Sequence, residues 1–240
     1  MKTHITDGTF RGIPYKIYAH PDASRLIFIN HGVYGNKERV LTMFGVSLAK
    51  LGYKVVAIDA VMHGQRGAPP FSTRDESKSE KQLFEVVKKT SEDILMMYHG
   101  MLAGTFETFD ILGVSMGGYV AYHMTISSDR VDKLITLISS PDFSQGALDS
   151  GLSERELRKV EAMDPSRHVT KMRFKEGLAL IGRNDALIPK SQTLAFLEKH
   201  EDLPLRVRIY DTTHAVTQAM QKDILTFLNQ DDAGETNKHG

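Results

Sequence analysis

The sequence predicts an α/β fold, a single doubly wound parallel sheet covered by helices on both faces. Two runs, Leu26-Ile27-Phe28-Ile29-Asn30 and Val55-Val56-Ala57-Ile58-Asp59, are short, almost continuously apolar and rich in β-branched residues, as strands are when helices bury both faces of a sheet. Between them Val40, Leu41, Phe44, Leu48 and Leu51 recur at helical spacing, and Gly52 stands where a helix ends. The segment therefore reads as a β-α-β unit. The same alternation runs on through the chain with no internal repeat or low-complexity tract, which points to one layered domain.

Taken in order, residues 8–20 carry Phe10, Ile13, Tyr15, Ile17 and Tyr18 in loose alternation, the pattern of one or two edge strands. Residues 72–102 form a broken helical stripe through Leu83, Val87, Ile94, Tyr98 and Leu102, a long surface helix with Met96, Met97 and Met101 as core filler. The charge run at 74–81 is its solvated face. Phe109-Asp110-Ile111-Leu112 is the next strand, 115–127 a helix, and Leu134-Ile135-Thr136-Leu137-Ile138 another buried strand. Residues 141–176 break the rhythm with Pro141, Gly146, Gly151, a helix at 154–163 and Asp164-Pro165, and read as a small cap insertion. Leu178-Ala179-Leu180-Ile181 and Leu205-Arg206-Val207-Arg208-Ile209-Tyr210 are the last strands, with a helix at 191–200 between them. A final helix spaces Val216, Met220, Ile224 and Leu228 by four. The domain spans 1–230, and the polar stretch 231–240 reads as a disordered tail.

Composition narrows the function. The chain has 240 residues, 41% of them hydrophobic, with 30 Lys+Arg against 30 Asp+Glu, so no long-range field points to nucleic acid or an anionic membrane. The expected ligand is small and not polyanionic. With no cysteine, disulfides and thiolate chemistry are excluded. The first residues lack the apolar core of a signal peptide and no window reaches membrane-spanning length, so a cytoplasmic location is expected.

The chemistry starts at Gly113-Val114-Ser115-Met116-Gly117-Gly118, directly after a strand-like run and before a helix. A G-x-S-x-G pattern in that context is a serine nucleophile on a tight turn, where glycines two before and two after leave room for the strand to swing into the helix. A serine hydroxyl is a weak nucleophile at neutral pH and requires a base and a group to orient that base. His214 follows the last strand in Asp211-Thr212-Thr213-His214, and Asp185 follows an earlier one in Gly182-Arg183-Asn184-Asp185-Ala186-Leu187-Ile188-Pro189. All three fall beyond carboxyl ends of strands, where such sheets gather ligands. For the developing oxyanion the backbone N–H of Met116 is one expected donor. The other comes from His31-Gly32-Val33-Tyr34-Gly35-Asn36, with Val33 ahead of Tyr34.

These residues resemble the α/β-hydrolases, and specifically the small bacterial esterases related to dienelactone hydrolases and prolyl-oligopeptidase catalytic domains. The resemblance rests on His31-Gly32 with Asn36-Lys37-Glu38, Asp59 through His63-Gly64-Gln65-Arg66-Gly67, the 113–118 elbow, the 182–189 loop and His214. It covers nearly the whole chain. It implies an eight-stranded, mostly parallel sheet, a Ser-Asp-His triad in that chain order and hydrolysis of carboxylic esters, small or short-chain, without a cofactor or metal. It departs at Val33, aliphatic where such esterases often carry an aromatic residue, and in the shortness of the cap.

Other readings stand beside these. Ser115 is also a plain helix N-cap candidate; Asp142, beyond the 134–138 strand, and Asp211 are alternative acids. His31, His63 and Asp59 are three residue types that hold zinc, although adjacent glycines on separate loops favour loop-shaping roles. Tyr34, Met62, Phe71, Met116 and Phe143 are candidate pocket residues by neighbourhood. A thioesterase or small peptidase would use the same triad, and a non-catalytic receptor the same scaffold.

Overall fold

Arg11 and Gly12 both take positive φ, 49° and 82°, the two-residue turn whose twist suits a hairpin. It folds β1 (His4–Phe10) onto β2 (Ile13–Ala19), antiparallel. The structure, a computed structural model, describes residues 3–67, 76–143 and 151–230, with the backbone alone at 76–80. The other strands are β3 (Arg25–Asn30), β4 (Tyr53–Ile58), β5 (Phe109–Val114), β6 (Val131–Leu137), β7 (Glu176–Gly182) and β8 (Leu205–Tyr210). Among the described residues they make one eight-stranded sheet, ordered β1-β2-β4-β3-β5-β6-β7-β8. β2 meets β4 antiparallel, and every pairing from β4 to β8 is parallel. The six parallel strands therefore present their carboxyl ends at one edge.

The helices are α1 (Lys37–Lys50), α2 (Glu76–Met97), α3 (Met116–Ser127), α4 (Glu154–Met163), α5 (Lys190–Lys199) and α6 (Gln218–Leu228). Strand periodicity divides the core between the two faces. Leu26 and Phe28 of β3, with Val56, Ile58 and Ile111, pack beneath α2 and α3. Ile27 and Ile29, with Val55, Ala57, Leu112 and Val114, pack beneath α1 and α6. This two-sided burial is why those strands are apolar at every position. Both ends of α1 are closed locally: Asn36 Oδ1 accepts the Arg39 N–H at 2.9 Å at its start, and Gly52, at φ 85°, follows its last turn. At the far edge β8 has only Leu205 buried. None of the described helices is long and apolar enough to cross a membrane.

The structure refines the expected helix at 72–102. It runs to Met97 and then widens into a π-helical turn, Tyr98–Leu102, where the Ala103 N–H reaches the Tyr98 carbonyl at 2.8 Å. Only Met97 of the three methionines is core, fully buried; Met96 and Met101 are each 38% exposed. Met96 lies about 100° round the helix from its neighbour Met97, and Met101 lies within the widened turn, so both fall off the buried stripe. In 151–175, α4 is followed by two short 3₁₀ turns, Pro165–Arg167 and Val169–Lys171. The expected tail at 231–240, pocket candidate Phe71 and the side chains of the 74–80 charge run lie outside the described residues.

One buried carboxyl has a structural explanation. The β5–β6 register slips between Phe109 and Ile111, and Asp110 Oδ1 accepts the Lys133 N–H at 3.1 Å across the slip. Its Oδ2 accepts the Tyr53 hydroxyl at 2.6 Å. Burial pushes the Asp110 pKa up to about 7, with the Tyr53 hydroxyl pulling the other way. In the unfolded chain the group titrates near 4. Between those values the folded protein keeps a proton that the unfolded chain has released, so stability falls as pH rises through that window. Asp110→Asn is expected to flatten this slope, worth about 4 kcal/mol at most at roughly 1.4 kcal/mol per pKa unit. Urea midpoints of parent and variant, compared from pH 4 to 8, measure the difference; parallel curves would refute the assignment.

Candidate active site

Ser115 sits at the turn from β5 into α3 with φ 53° and ψ −115°, a conformation that costs a non-glycine residue energy and persists only where surroundings impose it. The surroundings are backbone. A Cβ on Gly113 would overlap the Gly117 carbonyl, and one on Gly117 would overlap the Asn30 carbonyl at the end of β3. The glycine frame is therefore a packing requirement, and it lifts the serine side chain above the sheet edge. Ser115 accepts no capping bond from α3 through its hydroxyl; its Oγ instead lies 2.8 Å from His214 Nε2.

His214 is held by the loop after β8, where the Ala215 N–H reaches the Thr213 carbonyl at 2.8 Å and the Thr212 hydroxyl bonds the Ala215 carbonyl at 3.3 Å. This loop lies against the one after β7: the Arg183 N–H donates to the Tyr210 carbonyl at 2.7 Å and the Asn184 N–H to Thr212 at 3.0 Å. Asp185 is carried on that second loop. Its Oδ1 accepts the Leu187 and Ile188 N–H groups, both at 3.0 Å, and its Oδ2 lies 2.8 Å from His214 Nδ1. The Asp185 side chain is 1% exposed and that of His214 22%. A carboxylate on Nδ1 fixes the tautomer with the proton there, so Nε2 carries the lone pair facing the serine hydroxyl. Of the alternative acids, Asp211 accepts from Asn184 Nδ2 at 3.1 Å, and Asp142 stands beyond β6 with its N–H on Ser140 Oγ at 3.2 Å.

The loop after β3 runs beside the serine: a Cβ on Gly32 would lie 3.4 Å from Ser115 Cβ. Among the described residues the N–H groups of Val33 and Met116 have no hydrogen-bond acceptor. His31 is buried and uses both ring nitrogens, Nδ1 to the Gly32 carbonyl at 2.8 Å and Nε2 to the Ala60 N–H at 3.1 Å. His63 stands with its ring 5.2 Å from that of His31, its Nδ1 on the Val61 carbonyl at 2.8 Å.

Asp59, the third residue of the possible metal set, has a different partner. Its carboxylate accepts the Lys37 N–H at 2.9 Å, the Gln65 N–H at 3.0 Å and the Lys37 ammonium at 2.9 Å. Burial pushes the Asp59 carboxyl up, but the two backbone donors and the ammonium outweigh it and hold it below its ordinary value. Lys37 and Asp59 are 3% and 0% exposed, and the pair ties the start of α1 to the loop after β4. Lys37→Met, which leaves the carboxylate buried without its counter-charge, is expected to cost about 3–5 kcal/mol. That is roughly 10 °C in thermal unfolding for a chain of this size; a melting point within about 2 °C of the parent would contradict it.

The pocket candidates are dispersed. Tyr34 is 75% exposed, Met62 is 43% exposed at φ 60°, and Met116 is buried. Phe143 is buried between Phe84 and Tyr119, ring centroids at 5.8 and 4.9 Å. Sequence reading missed a cavity of about 490 Å³ between α2, α3 and α4, lined by Phe84, His123, Leu152, Val160 and Met163 among others. Its wall is drawn from three elements, each of which shows only ordinary helical periodicity.

Sheet order, parallel pairing and helix placement together define the α/β-hydrolase fold. A scan of protein-family models gives no match to this sequence, and neither does a search of curated proteins. Among solved structures the chain is similar to TT1662 from Thermus thermophilus, with a TM-score of 0.81 and 20% identity over 96% of this chain and 98% of that one. It also resembles a cold-adapted esterase from an Arctic intertidal metagenomic library, at TM-score 0.69 and 15% identity, covering 95% and 93% of the two chains. For an S-formylglutathione hydrolase from Agrobacterium tumefaciens the TM-score is 0.65 and the identity 17%, covering 96% and 93%. At these identities the likeness is one of fold.

Proposed function

We propose that this chain is a serine hydrolase that cleaves carboxylic esters, small or short-chain, through an acyl-enzyme. The observation that carries the reading is the continuous hydrogen-bonded chain from Ser115 Oγ through His214 to Asp185. Ser115 Oγ attacks the ester carbonyl carbon while His214 Nε2 takes the hydroxyl proton; Asp185 holds the imidazole and stabilises the imidazolium. The carbonyl oxygen, now anionic, lies between the N–H groups of Val33 and Met116, each donor worth on the order of 100- to 1,000-fold in rate. The tetrahedral intermediate collapses, the carbon–oxygen bond to the alcohol breaks, and His214 returns the proton to the departing oxygen. Water then adds to the acyl-enzyme by the same path, which frees the acid and restores Ser115.

Structural similarity to an esterase and an S-formylglutathione hydrolase supports ester hydrolysis as the class of reaction. The test is labelling with a fluorophosphonate and peptide mapping, alongside an aryl ester and thioester series from acetyl to octanoyl. An adduct on Ser115 with turnover of the shorter esters is the expected result. A protein that takes no label and turns over no member of the series is a ligand receptor on this scaffold, and the proposal fails.

A further inference from the structure

The cavity between α2, α3 and α4, about 490 Å³, has the size of a small-molecule site. Its wall is apolar: Phe84, Val160 and Met163 are buried, and Leu152 packs against the same cluster. Close-packed interiors leave few voids larger than a water molecule, and an apolar wall offers water no partners. A hollow of this size and lining suits a hydrocarbon chain. It lies apart from the serine. Ser115, Tyr119 and His123 follow one another at intervals of four along α3, so His123, on the cavity wall, stands about 12 Å from Ser115 along the helix. The intervening turn carries Tyr119, whose ring meets Phe143 edge-on at 4.9 Å, and Phe143 backs Phe84 at 5.8 Å.

The mouth is charged, and unevenly. Lys81, Glu85 and Lys88 reach it from α2, Glu156 and Lys159 from α4. Lys81 pairs with Glu156 across the gap at 2.8 Å, and Lys88 with Glu92 one turn on. Glu85 has Lys81 a turn before it on α2 and Lys88 and Lys89 a turn after. On α4, Arg155 and Lys159 stand four residues apart, neighbours of like charge on one face, an arrangement that costs a helix stability. Glu156 is what raises the Lys81 pKa, and Arg155 opposes it, so the charge of that guanidinium also reaches the mouth. Among the described residues neither Arg155 nor Lys159 has an ion-pair partner. A negative charge placed there relieves the repulsion.

We propose that this cavity binds a medium-chain alkyl carboxylate, as a site separate from the serine: the chain lies against Phe84, Leu152, Val160 and Met163, and the carboxylate sits at the mouth between Arg155 and Lys159. The α3 wall agrees with such a ligand. His123 is 8% exposed, and its ring nitrogens lie 3.4 and 3.5 Å from Ser127 Oγ, long for hydrogen bonds. Burial, with Lys88 adding to it and Glu92 opposing, lowers the His123 pKa to about 4, so the ring is neutral and the charge of the site stays at its mouth. Binding here needs no catalytic group, and it holds whether or not Ser115 turns over an ester.

Isothermal titration calorimetry of the full chain with hexanoate, octanoate and decanoate, and with decanol, each below its aggregation concentration, is the test. One decanoate per chain is expected, with affinity rising about two- to four-fold per methylene and a higher melting temperature for the complex. Decanol, with the same chain and no charge, is expected to bind about five-fold more weakly. Lys159→Glu turns the like pair with Arg155 into an opposite one, which favours α4, and is expected to erase the preference for the carboxylate. Val160→Phe puts a ring into the hollow and is expected to weaken decanoate about 10-fold or more, while the melting temperature of the unliganded protein holds or rises. The chain-length series on the parent decides the matter even if Val160→Phe fails to fold. With a short p-nitrophenyl ester as substrate, saturating decanoate is expected to leave KM within about two-fold. No heat and no melting shift with decanoate overturns the proposal. So do equal affinities for decanoate and decanol, a Lys159→Glu protein that keeps the preference, or unchanged binding in a folded Val160→Phe. Competition between decanoate and the ester also overturns it, by making the cavity part of the catalytic pocket. A parent that neither turns over the ester nor takes a fluorophosphonate removes the hydrolase reading and leaves the calorimetric result standing.

Discussion

Ser115→Ala is expected to abolish ester hydrolysis, with a fall in kcat of roughly 10⁴-fold or more. On the proposed mechanism nothing else within the hydrogen-bonded chain can form the acyl-enzyme, because His214 and Asp185 would serve only to move and steady a proton. The residue kept at 115 is still a small side chain at φ 53°, so the elbow's backbone is unchanged and the variant folds. Its lost bond to His214 is half-exposed, which keeps the stability change within about 1 kcal/mol. The measurement is initial rate on a short-chain p-nitrophenyl ester, with circular dichroism to establish the fold. A variant as fast as the parent removes the nucleophile assignment altogether.

Asp185→Asn is the next largest, and the more informative about mechanism. The substituted amide keeps an oxygen for the Leu187 and Ile188 N–H groups, so the loop after β7 retains its anchors. Its NH₂, however, faces His214 Nδ1 and makes that nitrogen an acceptor. The ring proton then moves to Nε2, which can no longer take the serine proton. The expected loss in kcat is roughly 10³- to 10⁴-fold with little change in melting temperature, and labelling of Ser115 by a fluorophosphonate slows in step. Asp185→Ala differs in kind: it strands two N–H groups in a buried loop and lowers stability as well. If Asp185→Asn retains parental kcat, the carboxylate is only a loop anchor.

Legibility in the sequence followed the range of the forces involved. The alternation of strand and helix was readable because burial on two faces demands apolar residues at every strand position, and the 113–118 elbow because backbone-on-backbone contact there tolerates only glycine. The loops bearing Asp185 and His214 could be located since both follow recognisable strands. What escaped was decided by partners distant in sequence. Asp59 beside two histidines suggests a metal until Lys37, 22 residues earlier, is found against its carboxylate. Asp110 lies in a strand that the sequence locates, but nothing local shows the slipped register against β6 that supplies the N–H its carboxyl accepts. The cavity between α2, α3 and α4, and the exposure of Tyr34 and Met62, depend on how whole elements lie together, for which local periodicity holds no signal.

The place of β8 has a consequence for how activity is lost. As the outermost strand it leaves one side of its backbone without a partner strand, and Arg206 and Arg208, ion-paired with Glu176 and Asp223, discourage another molecule from adding to it. Edges of this kind fray at a lower free energy than the whole domain unfolds. The imidazole at 214 hangs from that margin, whereas the serine stands on an interior strand. On the proposed mechanism mild denaturant is therefore expected to silence the protein by unhooking its proton carrier, while the centre of the sheet and its spectroscopic signal persist.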